Sequence, residues 1–219
     1  MSRANRGEEL FLSEVLKLSE KPDIKRVVDQ RVLEFLEVNK TDSLRWFIEL
    51  VYCILTANTS AERGQLCVNG LEKSGYILQG SLLEVSNQLR LLGHRFAEKR
   101  AEYIIEARKY SKSLKETIQN FEASSEARIW LSENVMGLGF KESSHFLRNV
   151  GYLDLAILDR HIISNMTEFG LIAPGKGGLT KKRYLEYEEI LKRVAERANM
   201  PVGVLDLYLW YRKTGKVLK

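Results

Sequence analysis

Apolar residues recur at three- and four-residue spacing along almost the whole chain, and alternating patterns are absent. That spacing matches the 3.6-residue turn of an α-helix and not the two-residue repeat of a half-buried strand. Only three prolines occur, Pro22, Pro174 and Pro201, and each falls near an expected segment boundary. The pattern predicts an all-α protein of about ten helices.

Residues 10–18 and 24–36 read as two amphipathic segments divided by Lys21-Pro22-Asp23. Thr41-Asp42-Ser43 offers N-cap chemistry for SLRWFIELVYCILTA, which is apolar nearly all round and is expected to be the central buried helix. Asn58-Thr59-Ser60 suits the cap of the next helix. Ser81 and Glu84 form an S-x-x-E capping box opening a helix that Gly93 closes. His94-Arg95-Phe96 leads into a long helix with Tyr103, Ile104, Ala107 and Tyr110 on one face. Two helical segments, ARIWLSENV and ESSHFLRNV, flank Gly137-Leu138-Gly139. Asp159 reads as the N-cap of RHIISNMTEFG, and a Gly-rich loop over 173–178 precedes a helix over 181–198. Pro201 takes the first turn of a final apolar helix that Gly215 ends, leaving 216–219 as a short tail.

Composition narrows the function classes. The 219 residues are 44% hydrophobic and 29% charged, which is ordinary for a globular protein with a sizeable core. No run is apolar and long enough to span a membrane, and the N-terminus lacks an apolar signal region, so a cytoplasmic protein with no membrane partner is expected. Cys53 and Cys67 are the only cysteines, both in apolar helix faces, and are expected as reduced structural thiols. Two Cys and three His cannot plausibly supply a metal or iron–sulfur site, so no cofactor and no metal is expected. A net charge of +5 suits a polyanionic partner and equally suits a plain solvated basic surface.

The stretch at 136–141 carries the chemistry. Two close glycines let the backbone turn through positive φ and bring amide N–H groups to the start of the following helix, where an anion can sit. Such a hairpin grips a DNA phosphate without reading sequence, so Gly137 and Gly139 are candidate phosphate contacts. An ordinary tight turn between helices needs the same glycines. It is no dinucleotide fingerprint, because no strand precedes it. Lys141 in the first turn is oddly placed, since the helix dipole there favours negative charge and eases loss of the lysine proton.

Val135-Met136-Gly137-Leu138-Gly139-Phe140-Lys141, with Leu158-Asp159-Arg160-His161 one segment later, resembles the helix-hairpin-helix DNA glycosylase superfamily, which includes endonuclease III. The family hairpin reads roughly L-P-G-V-G-x-K, and Met136 stands here where Pro is usual. The four-Cys iron–sulfur loop of endonuclease III is absent. The chain instead looks like the type 2 branch of 8-oxoguanine DNA glycosylases with AP lyase activity. It shares the RFAEKRA stretch at 95–101, Trp210 nine residues before the end, and the last residue Lys219.

The resemblance implies a bifunctional enzyme that excises 8-oxoguanine and nicks the strand by β-elimination. Lys141 is the implied nucleophile, forming a Schiff base, and Asp159 the group that stabilises the cationic sugar and helps deprotonate the lysine. Lys219 is implied in reading the base: 8-oxoguanine carries a donor at N7–H where guanine has an acceptor, and a terminal lysine offers both carboxylate and ammonium. A solvated tail is the alternative for Lys219. Trp210 and Phe96 suit stacking on an extruded base, or else plain core packing. Asn58 sits where superfamily members place polar residues near the hole left by the flipped base, or simply caps a helix. Arg95, Lys99 and Lys176 suit phosphate contacts, and His145 and His161 a structural or phosphate-facing place.

The implied architecture is two helical subdomains with the active-site cleft between them: 43–153 containing the hairpin, and 1–42 with 154–219 formed by both chain ends. The implied partner is double-stranded DNA containing 8-oxoguanine or abasic sites, bound by a monomer. Two other readings stand beside it: a related glycosylase for another damaged or mismatched base, and a non-catalytic DNA-binding module.

Overall fold

The computed structural model describes residues 3–175 and 178–219, and among these every regular element is a helix. Twelve α-helices are found among the described residues, with a short 3-10 turn over Arg108–Tyr110 after the sixth. The two beyond the expected ten come from cutting the pattern finer, as at Leu114–Gln119, a short helix with only Leu114 and Ile118 buried. The helix expected to carry Tyr110 ends at Ala107, so Tyr110 lies on the 3-10 turn instead.

The chain divides into two compact units, Met1–Phe35 with Gly151–Lys219, and Leu36–Val150. In the second of these, α3 (Ser43–Thr56) is the centre. Its Trp46, Phe47, Leu50, Val51, Cys53, Ile54 and Leu55 are fully buried. Each such large side chain contributes roughly 1.5–3 kcal/mol by leaving water. Around α3 pack α4 (Ala61–Ser74), α6 (Ala97–Ala107), α7 (Leu114–Gln119) and α9 (Phe140–Asn149). Two further helices complete the unit: α5 (Leu82–Leu91) lies against α6, and α8 (Ser124–Asn134) against α9.

Local chemistry starts these helices where the residues suggest. Asp42 accepts from the Arg45 N–H, Ser60 from Arg63, and Ser81 with Glu84 closes a full capping box. Charges lie inside the unit as well: Glu49, 1% exposed, accepts from Arg45 at 2.6 Å and from the Asn149 amide at 3.3 Å. A buried carboxylate needs such partners. The Asn149 bond ties the end of α9 to α3 and so fixes the helix that begins at the glycine turn.

The other unit holds α1 (Arg3–Ser19), the start of α2 (Pro22–Lys40), α10 (Arg160–Glu168), α11 (Lys181–Arg197) and α12 (Val202–Thr214). α12 packs on α1, α10 and α11. Leu207, Tyr208 and Val217 form one apolar cluster with Leu18, Ile24, Val28 and Phe35. Burial of Val217 in this cluster anchors the segment after Gly215. No helix among the described residues is long and apolar enough to cross a membrane.

Candidate active site

The turn between α8 and α9 is built on one demanding glycine. Gly137 has φ of 87°, and a β-carbon there would stand 2.3 Å from the Tyr103 ring, so both conformation and space require glycine. Gly139 differs from the expectation: its φ is −95°, open to any residue, and it serves as the N-cap of α9 without a side chain. Between them Leu138 is buried and its N–H donates to the Val135 carbonyl, which anchors the turn. Lys141 occupies the first turn of α9, and its Nζ lies 2.9 Å from Oε1 of Glu142. Glu142 drew no attention as a partner in the sequence, because neighbouring residues on a helix do not ordinarily face each other.

Three other expected site residues meet in the same unit. Asn58 takes a left-handed conformation, φ 61°, at the end of α3. Its carbonyl accepts from the Arg95 guanidinium at 2.9 Å, and that guanidinium lies 4.6 Å from the Phe96 ring centre. Phe96 remains 39% exposed, unusual for a phenyl ring and unlike core packing. Behind it, buried His94 places Nε2 at 2.9 Å from the Leu55 carbonyl and accepts at Nδ1 from the Phe96 N–H at 3.2 Å. These two bonds assign the neutral tautomer with the proton on Nε2. Burial pushes the His94 imidazole below its ordinary value, against a smaller opposing effect of the Leu55 carbonyl. Arg100 closes the arrangement by donating to the Ala57 carbonyl at 2.7 Å. Lys99, a candidate phosphate contact, reaches Glu102 at 2.6 Å and lies 5.2 Å from the Tyr103 ring centre, the ring that underlies Gly137.

In the other unit Asp159 is the N-cap of α10, as its position suggests. Its Oδ1 accepts from the His161 and Ile162 N–H groups at 2.8 and 2.9 Å. Oδ2 accepts from the Trp210 indole at 3.0 Å. His161 meets Trp210 edge to face at 5.3 Å. His145, in the hairpin unit, packs edge to face on Tyr52 at 5.7 Å.

Residues unforeseen in the sequence hold the strand of backbone that delivers Asp159. The Tyr184 hydroxyl donates to the Ala156 carbonyl at 2.8 Å and accepts from the Leu158 N–H at 3.3 Å. Buried Glu188 accepts from the Ala156 N–H at 2.9 Å, and the Gly203 N–H donates to the Leu153 carbonyl at 2.8 Å. Their sequence signal was faint: a Tyr and a Glu one helical turn apart on an otherwise charged helix. Beside Asp159, within this unit, opens a concavity of about 740 Å³ whose wall includes Arg160, Ile163, Thr167, Arg183 and Tyr187. Lys219 is half-buried after the anchored Val217. Lys176 lies outside the described residues. Among those residues, no group of three or more His, Cys, Asp or Glu is arranged to hold a metal ion.

Known proteins resemble this chain over most of its length. A family model described as 8-oxoguanine DNA glycosylase matches residues 28–200, a span that includes the glycine turn, Lys141 and Asp159. A relative from Methanocaldococcus jannaschii named 8-oxoguanine DNA glycosylase/AP lyase is 45% identical over 94% of this chain and 97% of its own. One of the same name from Korarchaeum cryptofilum is 41% identical over 90% of this chain and 92% of its own. The crystal structure of the Methanocaldococcus jannaschii 8-oxoguanine glycosylase/lyase with a 15mer DNA containing 8-oxoguanine superposes with a TM-score of 0.90, at 41% identity, covering 96% of this chain and all of that one. A Thermotoga maritima 8-oxoguanine DNA glycosylase structure gives a TM-score of 0.88 at 42% identity, covering 97% of this chain and all of that one. With the family model spanning most of its length, this chain belongs to the 8-oxoguanine DNA glycosylase family.

Proposed function

We propose that this protein excises 8-oxoguanine from double-stranded DNA and then nicks the strand at the resulting abasic site. The observation that carries the reading is the Gly137 turn that presents Lys141 at the start of α9, in a chain whose family model also spans the N-cap carboxylate of Asp159.

In this reading the turn and its free helix start hold a DNA phosphate, with Gly139 letting the backbone come close. The lesion is flipped out of the stack, and Phe96 and Trp210 provide faces for the extruded base or for the gap it leaves. Lys219 reads the base that distinguishes lesion from guanine. The Nζ lone pair of Lys141 forms a bond to C1′ of the sugar. The C1′–N9 bond breaks, and its electron pair leaves with the purine, which takes a proton. Asp159 stabilises the positive charge that develops on the sugar. Ring opening gives a Schiff base. Loss of a C2′ proton then expels the 3′ phosphate, and water releases the enzyme. Arg95, Lys99 and Asn58 support the strand around the lesion.

Lys141→Ala tests this directly on duplexes carrying 8-oxoguanine, other oxidised or mismatched bases, or pre-formed abasic sites. The expected result is loss of excision, nicking and borohydride trapping by at least about a thousandfold, since a nucleophile has no substitute in the site. Normal trapping by Lys141→Ala would remove the nucleophile assignment. Preference of the unaltered protein for another lesion would replace 8-oxoguanine as its substrate.

A further inference from the structure

An ammonium has no lone pair, so a lysine nucleophile must pass its proton to something before it attacks. Glu142 is a carboxylate in contact with it. Successive residues on a helix project about 100° apart and do not ordinarily pair. Yet Lys141 Nζ lies 2.9 Å from Glu142 Oε1, with the glutamate only 17% exposed and the lysine 31%. The lysine is folded over its neighbour and not extended into water.

The surroundings keep that carboxylate in place. Glu142 is the third residue of α9, where the positive end of the helix dipole favours an anion. Its second oxygen, Oε2, lies 3.4 Å from where a β-carbon on Gly139 would stand, an ordinary van der Waals distance that sets the carboxylate beside the N-cap. Arg100 on α6 lies close enough to feel the Glu142 charge. Lys141 and Arg100 are thus cations that lie near it among the described residues.

We propose that Glu142 is the proton acceptor for Lys141 in Schiff-base formation, a role that rests on Lys141 being the nucleophile. As Nζ attacks, its N–H bond breaks and an O–H bond forms on Glu142. The freed lone pair makes the bond to C1′, and the C1′–N9 pair departs with the purine, which is protonated by water. Glu142 then gives its proton to solvent. Asp159, which accepts from the Trp210 indole and two α10 N–H groups, stabilises the sugar cation.

The alternative is that Glu142 merely favours the helix start, and Glu142→Gln separates the two. Glutamine suits the same helix position and keeps the shape but accepts no proton. Thermal unfolding, single-turnover excision and borohydride trapping at pre-formed abasic sites are measured from pH 6 to about 10, a range over which hydroxide rises about ten-thousandfold. The expected result is unfolding close to that of the unaltered protein, with trapping slowed about a hundredfold near neutrality. The deficit should shrink as pH rises, because hydroxide then accepts the proton in place of Glu142. Glu142→Asp, which keeps a carboxylate, should recover most of the rate and decides the matter if the glutamine variant does not fold. Full activity of Glu142→Gln near neutrality, a deficit equal at every pH, or a Glu142→Asp variant that folds but traps poorly overturns the proposal. Lys141→Ala run alongside separates the failures. If it still traps, the nucleophile assignment falls; if it is inert while Glu142→Gln is normal, only the role of Glu142 falls.

Discussion

The Trp210 indole N–H donates to Oδ2 of Asp159 across 3.0 Å, joining the last turns of α12 to the N-cap of α10. Because Oδ1 is held by two backbone N–H groups, this one bond sets how Oδ2 faces. Trp210 therefore has a positioning role for Asp159 that does not depend on stacking against a base. Trp210→Phe keeps an aromatic face and removes only the donor. A hydrogen bond to a charged group is worth roughly 1.5–3 kcal/mol, so single-turnover excision should slow about 10- to 100-fold with little change in DNA affinity. Trp210→Ala, losing the face as well, should weaken binding in addition. A Trp210→Phe variant with the unaltered rate would show that the bond does not matter for chemistry.

The two glycines of the hairpin should respond differently to alanine. At Gly137, positive φ and the Tyr103 ring both oppose a β-carbon, and left-handed strain alone costs on the order of 1–3 kcal/mol. Gly137→Ala should lower the unfolding temperature by several degrees. Gly139→Ala meets ordinary backbone, so its unfolding should stay near that of the unaltered protein while affinity for duplex DNA falls, as a phosphate meets the added methyl. Equal destabilisation by both substitutions would contradict this division.

What was legible in the residues and what was not follows the range of the interaction involved. Caps depend on a few adjacent residues, so Asp42, Ser60, Ser81 with Glu84, and Asp159 could all be placed from sequence. The buried character of α3 followed from its being apolar nearly all round. The helix over Leu114–Gln119 escaped notice because long-range bonds dock it: Ser43 to Glu116 at 2.7 Å, and Lys115 to the carbonyls of Asn39 and Thr41. Tyr184 and Glu188 act on backbone more than twenty residues away, with no local pattern to betray them. Gly139 looked like Gly137 in sequence, and only the dihedral angles separate their reasons. Glu142 was in plain view beside Lys141, but helical geometry argues against an adjacent pair, and the folded lysine overrides it.

Lys219 offers a test that leaves the core alone. Val217, two residues earlier, sits in the cluster with Leu18, Val28 and Tyr208, so deleting Lys219 should leave that packing intact. If Lys219 reads the base, the deletion should reduce 8-oxoguanine excision at least about tenfold, the effect of losing roughly 1.4 kcal/mol of recognition. Nicking of pre-formed abasic sites, where no base remains to be read, should be nearly unchanged. Equal loss on both substrates would assign the residue to DNA binding or folding.

Glu168 gives a prediction for acid stability within the α1–α10–α12 unit. Arg212 grips its carboxylate with two nitrogens, at 2.6 and 2.9 Å, and Lys213 adds a third contact at 2.6 Å. Arg212 first, then Lys213, hold the Glu168 carboxyl down from 4.5 to about 2. Since the folded state prefers the carboxylate, this stabilisation is complete above the ordinary value of 4.5 and disappears as pH falls through about 2. Glu168 is 46% exposed, so solvent screening reduces the contribution to about 1 kcal/mol. Glu168→Gln should accordingly unfold about 2–4 °C lower than the unaltered protein at neutral pH. That gap should narrow between pH 4.5 and about 2 and close below it, where both proteins carry a neutral side chain at 168. Thermal unfolding followed by circular dichroism across this range measures it. A gap that stays constant down to the lowest pH would mean that shape and hydrogen bonding, and not the charge of Glu168, hold α10 to α12.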